Sequence, residues 1–379
     1  MTSNRRDFIK AGVIGAAVAA TGLPAVGAAG GKDKKHGKHK SRDILVLGGT
    51  GFIGPHMVRE ALRRGHSVTL FNRGRTNNEL FPDLETIKGD RGGDLSMLAG
   101  RKWDAVIDNS GYVPRHVQNS AKTLAPNIGQ YLYISTISVY DSFARPNDES
   151  SRLATIDDES IEEVTGETYG PLKALCEKRA RAEIDADRLT ILRPTYICGP
   201  GDHTDRFSYW PVRVKQGGEM LVPGGPEYPV QIIDVRDLAN FTIDCLDQKI
   251  IDTFNTVTPV GSYNMGLLLT DSQAVAATEV DLVWVDEAFV AEAQENSQVE
   301  NWGMFPIWHA LGGDSANVSS VAGEKAVAAG LHNRPIRETI RDLLSWWQTL
   351  PEERTSPMKA GMSADLEARL IAAWKAQNA

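Results

Sequence analysis

Residues 43–65 read DILVLGGTGFIGPHMVREALRRG, and this stretch narrows the range of possible folds more than any other. DILVL is a short apolar run rich in branched residues, as a strand buried on both faces requires. Gly48, Gly51 and Gly54 follow at three-residue spacing. Then come apolar residues at helical intervals, closing on Arg63, Arg64 and Gly65. Strand, glycine turn and helix in that order are the context of a dinucleotide-binding fold. The glycines permit the tight turn and let a pyrophosphate approach the helix N-terminus. With the three glycines, Thr50, Phe52 and Ile53 are the first candidates for cofactor contact.

The next apolar run, SVTLF at 67–71, bears on which dinucleotide is bound. An NAD site usually ends this strand on a carboxylate for the ribose hydroxyls. Here the strand runs into Asn72-Arg73-Gly74-Arg75, with no acid before Glu79. A guanidinium fork donates two hydrogen bonds to a phosphate. NADP is therefore expected ahead of NAD, with Asn72, Arg73 and Arg75 as contacts.

Further strands are expected at ETIKGD (85–90), DAVIDNSGY (104–112), YLYISTISVY (131–140) and RLTILRP (188–194). Doubly wound sheets bind ligands at the carboxyl ends of their strands. Asp90, Asn109, Ser110 and Pro194 are accordingly expected on the cofactor, with Asp90 on its adenine side. Tyr112 and the Ser135-Thr136 pair are expected near the substrate. Tyr169 and Lys173 stand four apart in TYGPLK, on one helix face. A cation beside a phenol favours the phenolate and brings proton transfer within reach near neutral pH.

GGTGFIG, YISTISVY, YGPLK and ILRPTYICGPGD, in this order, resemble the extended short-chain dehydrogenase/reductase superfamily, the NAD-dependent epimerase/dehydratase group. LFNRGR, IKGDR and IDVRDLA look closer to an atypical branch that includes chloroplast stem-loop-binding proteins. The resemblance covers about residues 43–350. It implies Thr136, Tyr169 and Lys173 as the catalytic set, with Ser135 as the alternative to Thr136. It also implies hydride transfer on a small hydroxylated or carbonyl compound. An acidic insertion, NDESSRLATIDDESIEEVTGE, lengthens the Thr136–Tyr169 interval and is expected to border the pocket.

The expected architecture is α/β: a doubly wound parallel sheet with a smaller C-terminal substrate lobe. Residues 43–194 form the dinucleotide domain, with 229–251 returning to it. The lobe takes 195–228 and 252–379. Asp234 reads as a helix N-cap. Arg213 and Arg236 are candidates for an anionic substrate or the pyrophosphate, and Arg236 could equally pair with Asp234 or Asp237. Trp346 and Trp347 read as packing residues. A last helix begins near Ser363 and could dock on the body or on a second copy of the chain, as in a homodimer.

The N-terminus is a separate object. SNRRDFIK precedes a Gly/Ala-rich apolar stretch broken by Gly15, Gly22 and Pro24, a poor membrane span. Residues 1–28 resemble a twin-arginine signal peptide, which implies passage through the twin-arginine export machinery to the periplasm or beyond. Residues 29–42 read as a basic, flexible linker. His36 and His39 lack acid or thiol partners in register, and Cys176, Cys198 and Cys245 are scattered, so neither a metal site nor a disulfide framework is expected. The net charge is −8 and becomes −10 without residues 1–28. That balance is ill suited to neutralising phosphates and counts against RNA binding. A non-catalytic nucleotide- or RNA-binding protein on the same fold is the competing class.

Overall fold

The computed structural model describes residues 40–297 and 301–378. The signal-like segment, and all but the end of the linker, lie outside the described residues. Six strands follow in chain order: β1 (Asp43–Leu47), β2 (Ser67–Asn72), β3 (Thr86–Lys88), β4 (Trp103–Asp108), β5 (Ile128–Ile134) and β6 (Leu189–Pro194). With a seventh, Thr253–Thr256, they form one sheet in the order Thr253–Thr256, β6, β5, β4, β1, β2, β3. Every pairing is parallel. The strand succession reverses between β1 and β4, which opens a crevice at their carboxyl ends.

Alternation along β1 shows how the sheet is covered. Ile44 and Val46 pack against Met57, Val58 and Ala61 of the Gly54–Arg63 helix and Leu238 and Phe241 of the Val235–Gln248 helix. Leu45 and Leu47 face the other way, onto Val117 and Ala121 of Pro114–Leu124 and Cys176 and Ala180 of Tyr169–Glu183. All four β1 residues have no exposed surface, so the continuous apolar run was the right signature of a two-sided parallel strand.

One boundary departs from expectation. Thr253–Thr256, assigned above to the lobe, pairs with β6, Phe254 opposite Leu192. It is fully buried, because this edge is covered: Glu149 of the acidic insertion accepts the Asn255 amide at 2.9 Å, Tyr140 donates to the Asn255 side chain at 2.5 Å, and that side chain donates to the Ala322 carbonyl at 3.0 Å. A covered edge cannot recruit another strand.

The lobe is built on a parallel pair, Gly218–Pro223 with Val280–Val285, and on helices Tyr209–Gln216, Met265–Ala276 and Ile336–Trp347. Trp346 and Trp347 are buried here. The last helix, Ala364–Gln377, is capped by Ser363 and docks on this same lobe through buried Ile371 and an edge contact of Trp374 with Phe289. Asp234 caps its helix by accepting the Arg236 amide. Arg236 itself is held by Asp234, at 2.7 Å, and Asp342, so the ion-pair reading of this residue is the one realised. No helix among the described residues is long and apolar enough to cross a membrane.

Candidate active site

The crevice is a cleft of about 570 Å³ running from the glycine loop to the start of the Tyr169–Glu183 helix. Gly48 has φ +93°, and a Cβ there would lie 2.6 Å from the Ser110 side chain. A Cβ on Gly54 would lie 2.7 Å from the Gly49 backbone. Those two glycines close the loop on itself, whereas a Cβ on Gly51 would meet nothing within 4 Å, leaving that side open to the cleft. The helix behind the loop starts at Gly54 with no side-chain cap. Pro55 has no N–H and the His56 amide bonds the Ile53 carbonyl at 3.1 Å, so an anion here would meet the loop amides and the positive end of the helix. Thr50, Phe52 and Ile53 line the same wall.

Opposite the loop, Asn109 donates to the Gly48 carbonyl at 3.1 Å, and its own side-chain oxygen is buried with no partner. Ser110 lies beside it, its hydroxyl on the Leu47 carbonyl, and Pro194 closes the wall at the end of β6. An uncapped helix start, an orphaned amide oxygen and a crevice free of side chains at Gly51 fit a dinucleotide. At the end of β2, the Asn72 side chain accepts the Gly74 amide at 2.9 Å and so shapes the turn carrying Arg73 and Arg75. Both arginines are exposed on the cleft, and neither forms an ion pair among the described residues. Asp90 lines this end as well. Its carboxyl is held below the usual range chiefly by the Gly92 amide, with the two guanidiniums contributing.

Tyr169 opens its helix, and Lys173 lies one turn on, 3% exposed. The ammonium donates to the carbonyls of Gly111 (2.9 Å) and Ile134 (2.7 Å) and stands 4.3 Å over the Tyr133 ring. Burial lowers its pKa to about 8. Tyr169 does not behave as expected from its spacing. Its phenol is raised above the ordinary value, first by burial and then by the neighbouring Tyr112 phenol, 6.4 Å ring to ring. Lys173 commits its ammonium to the two carbonyls, and desolvation outweighs any help it gives the phenolate.

Thr136 acts on the Tyr169 phenol and opposes that upward shift, while its hydroxyl donates to the Ser138 hydroxyl at 3.1 Å. Its hydroxyl also accepts the Ser138 amide at 3.2 Å. Ser135 is a different case: its hydroxyl donates to Glu177 at 2.6 Å, inside a buried pair of Glu177 with Arg193. The threonine, not the serine, therefore faces the phenol. Tyr112, 42% exposed, forms the lip of the cleft on this side.

Two further expectations are corrected. Arg213 lies outside the cleft, bound to Glu367 at 2.6 Å and to the Gly217 carbonyl. Residues 141–168, which hold the acidic insertion, contribute nothing to the lining. Glu159 and Glu162 of the insertion pair instead with Lys178, Arg179 and Arg115 on the helices outside the sheet.

Sequence reasoning also missed two groups. Arg91 forms a buried bidentate pair with Asp108, at 2.5 and 2.6 Å, and Tyr131 donates to the same carboxylate at 2.6 Å. This braces the turns that carry Asp90 and Ser110. Tyr196, His203, Thr204 and Arg206, after β6, line the cleft together with the start of the Tyr169–Glu183 helix. The glycine- and aspartate-rich run GPGDHTD marked a loop at the sheet's carboxyl end and was the available signal.

The pattern of the family described as "NAD dependent epimerase/dehydratase family" matches residues 44–256. The chain is 28% identical over 224 residues to the Arabidopsis thaliana "Chloroplast stem-loop binding protein of 41 kDa b", covering 55% of this chain and 56% of that protein. It is 32% identical over 222 residues to the "2-alkyl-3-oxoalkanoate reductase" of Stenotrophomonas maltophilia, covering 52% and 64%. The chain thus spans less than two thirds of either relative. Among solved structures, the Bordetella bronchiseptica enzyme WbmG in complex with NAD superposes with TM-score 0.59 at 17% identity, covering 82% of this chain and 94% of that one. A UDP-glucose 4-epimerase gives 0.58 at 16%, covering 82% and 98%. At those identities the likeness is one of fold.

Proposed function

The chain belongs to the NAD-dependent epimerase/dehydratase family, and from that premise we propose that it is a dinucleotide-dependent oxidoreductase or epimerase acting on a small hydroxylated or carbonyl compound. What carries this reading is the convergence of Tyr169, Thr136 and Lys173 at one end of a cleft whose other end is the glycine cradle. Bound there, the nicotinamide would accept or supply hydride. Tyr169 moves the proton to or from the substrate oxygen, and Thr136 orients that oxygen. Lys173 ties the Gly111 turn to the end of β5, so the floor of the site keeps its shape. An RNA-binding reading, suggested by the name of the Arabidopsis relative, has the acidic balance of the chain against it. The test is direct: purified protein is titrated with NADPH by fluorescence and screened against hydroxy and oxo compounds. Absence of both binding and turnover rules the reading out.

We further infer a preference for NADP from Arg73 and Arg75. One charge-assisted contact is worth on the order of 1.5–3 kcal/mol. The wild type should therefore bind NADPH about tenfold to hundredfold more tightly than NADH, and Arg73→Ala should remove most of that gap. Equal affinity for the two cofactors in the wild type means the arginines do not read the 2′-phosphate.

Residues 1–28 add a proposal about place. A protein exported through Arg5-Arg6 in folded form would carry its dinucleotide with it and depend on chemistry that returns the cofactor to its starting state. Protein isolated from the exported fraction, desalted and denatured, should then release near-stoichiometric NADP(H). Nucleotide-free protein that is active only with millimolar added cofactor, or protein retained in the cytoplasm, is the contrary result.

A further inference from the structure

The loop 199–206 crosses from the sheet to the lobe over the cleft, and it is anchored at several points. Asp205 sits at φ +62°, a conformation a non-glycine residue adopts only when its surroundings hold it there. Its buried carboxylate accepts Arg354 twice, at 2.6 and 3.0 Å, and the Lys359 amide at 2.9 Å. The Pro200 carbonyl meets the His56 ring at 3.0 Å on the helix behind the glycine loop.

This fixed loop presents Arg206 to the cleft. The guanidinium lies 5.0 Å over the Tyr196 ring, and its Nε reaches the Thr204 hydroxyl at 3.2 Å. Its terminal nitrogens make no hydrogen bond or ion pair among the described residues. Arg206 lines the same cleft as Tyr169, and its charge reaches that phenol. Asp202, behind the loop, has one carboxyl oxygen engaged by the Thr204 amide and hydroxyl, at 2.8 and 2.7 Å.

The charges of the cleft are unevenly divided. Asp90 is the one acidic residue in the lining, and it stands at the far end with Arg73 and Arg75. Near Tyr169 the cations of the lining are Lys173, already bound to two carbonyls, and Arg206. The Tyr112 phenol and His203, its imidazole pKa lowered by burial, are the other titratable groups there, and the carboxylate that acts on Arg206 is Asp202, buried behind the loop. A wall of one sign in a low-dielectric cleft raises the local concentration of the opposite charge. We propose that Arg206 binds an acidic group of the substrate, a carboxylate or a phosphate, so that this enzyme acts on an anionic hydroxy or oxo compound. The planar fork suits either acid. This inference rests on the oxidoreductase or epimerase reading above.

Protein loaded with NADP⁺ is titrated with 3-hydroxybutanoate, with its neutral methyl ester, and with UDP, following tryptophan fluorescence. An anion should bind about tenfold to hundredfold more tightly than the ester, the range of one charged contact. Arg206→Gln should erase that difference, Arg206→Lys should keep part of it, and NADP⁺ affinity should stay within about threefold in both, since Arg206 is assigned to the substrate side. Loss confined to 3-hydroxybutanoate identifies a carboxylate, and loss confined to UDP a phosphate; either supports the proposal. It is overturned if wild type binds ester and anions alike, or if Arg206→Gln leaves anion binding unchanged. Failure of the wild type to bind any dinucleotide instead brings down the oxidoreductase reading itself.

Discussion

Tyr169→Phe should lower turnover by roughly 10²–10⁴-fold, the usual share of a positioned proton donor, while dinucleotide affinity and the unfolding midpoint stay put. The substitution removes one oxygen and keeps the ring that sits beside Tyr112. Burial holds the phenol protonated at neutral pH, so the residue is set to donate in the reductive direction, with Thr136 beside it on the cleft wall. Lys173→Met should behave differently. It deletes the donor that joins the Gly111 and Ile134 carbonyls, so that the Gly111 carbonyl keeps only the Tyr133 hydroxyl and the turn loses its tie to the end of β5, and it should weaken cofactor binding along with turnover. NADPH titration by fluorescence gives affinity, and single-turnover oxidation of NADPH gives the chemical step. A Tyr169→Phe protein that turns over at the wild-type rate moves proton transfer to another group.

The parts of this site written in local sequence were legible. β1, its glycine turn and the following helix occupy 23 consecutive residues, and their patterns are set by backbone geometry alone. Tyr169 and Lys173 share a helix face by the same token. What could not be read is where each side chain finds its partner. Arg213 looked free for a substrate because Glu367, which holds it, is 154 positions away. Ser135 and Thr136 are neighbours in sequence, yet only packing against the Tyr169–Glu183 helix decides that one faces Glu177 and the other the phenol. The acidic insertion looked like a pocket border because it interrupts the catalytic set, and its partners are basic residues on outer helices. Tyr169 itself shows the limit of pairwise reasoning. The spacing placed a cation nearby, but burial governs its titration.

Glu177→Ala should cost about 3–5 kcal/mol of folding stability, the range for removing one partner of a buried ion pair. Glu177 is 1% exposed and Arg193 2%, and the guanidinium meets the carboxylate through two bonds of 2.9 and 2.7 Å. Ser135 donates to the same carboxylate, while Arg193 reaches the Tyr140 hydroxyl at 3.2 Å and the Glu149 carbonyl at 3.3 Å. The network therefore joins the end of β5, the Tyr169–Glu183 helix, β6 and the start of the insertion. Alanine leaves a buried guanidinium with no counter-charge and a serine hydroxyl with no acceptor, so the loss reflects stranded polar groups as much as the pair itself. A second variant separates the two: Glu177→Leu combined with Arg193→Met removes both charges at similar volume and should recover most of the loss. Urea unfolding reads the result as a shift of midpoint at unchanged slope. A single variant within about 1 kcal/mol of wild type would mean that water reaches Arg193. A double variant as unstable as the single one would mean that the pair itself, with its link to Ser135, holds that helix against the sheet.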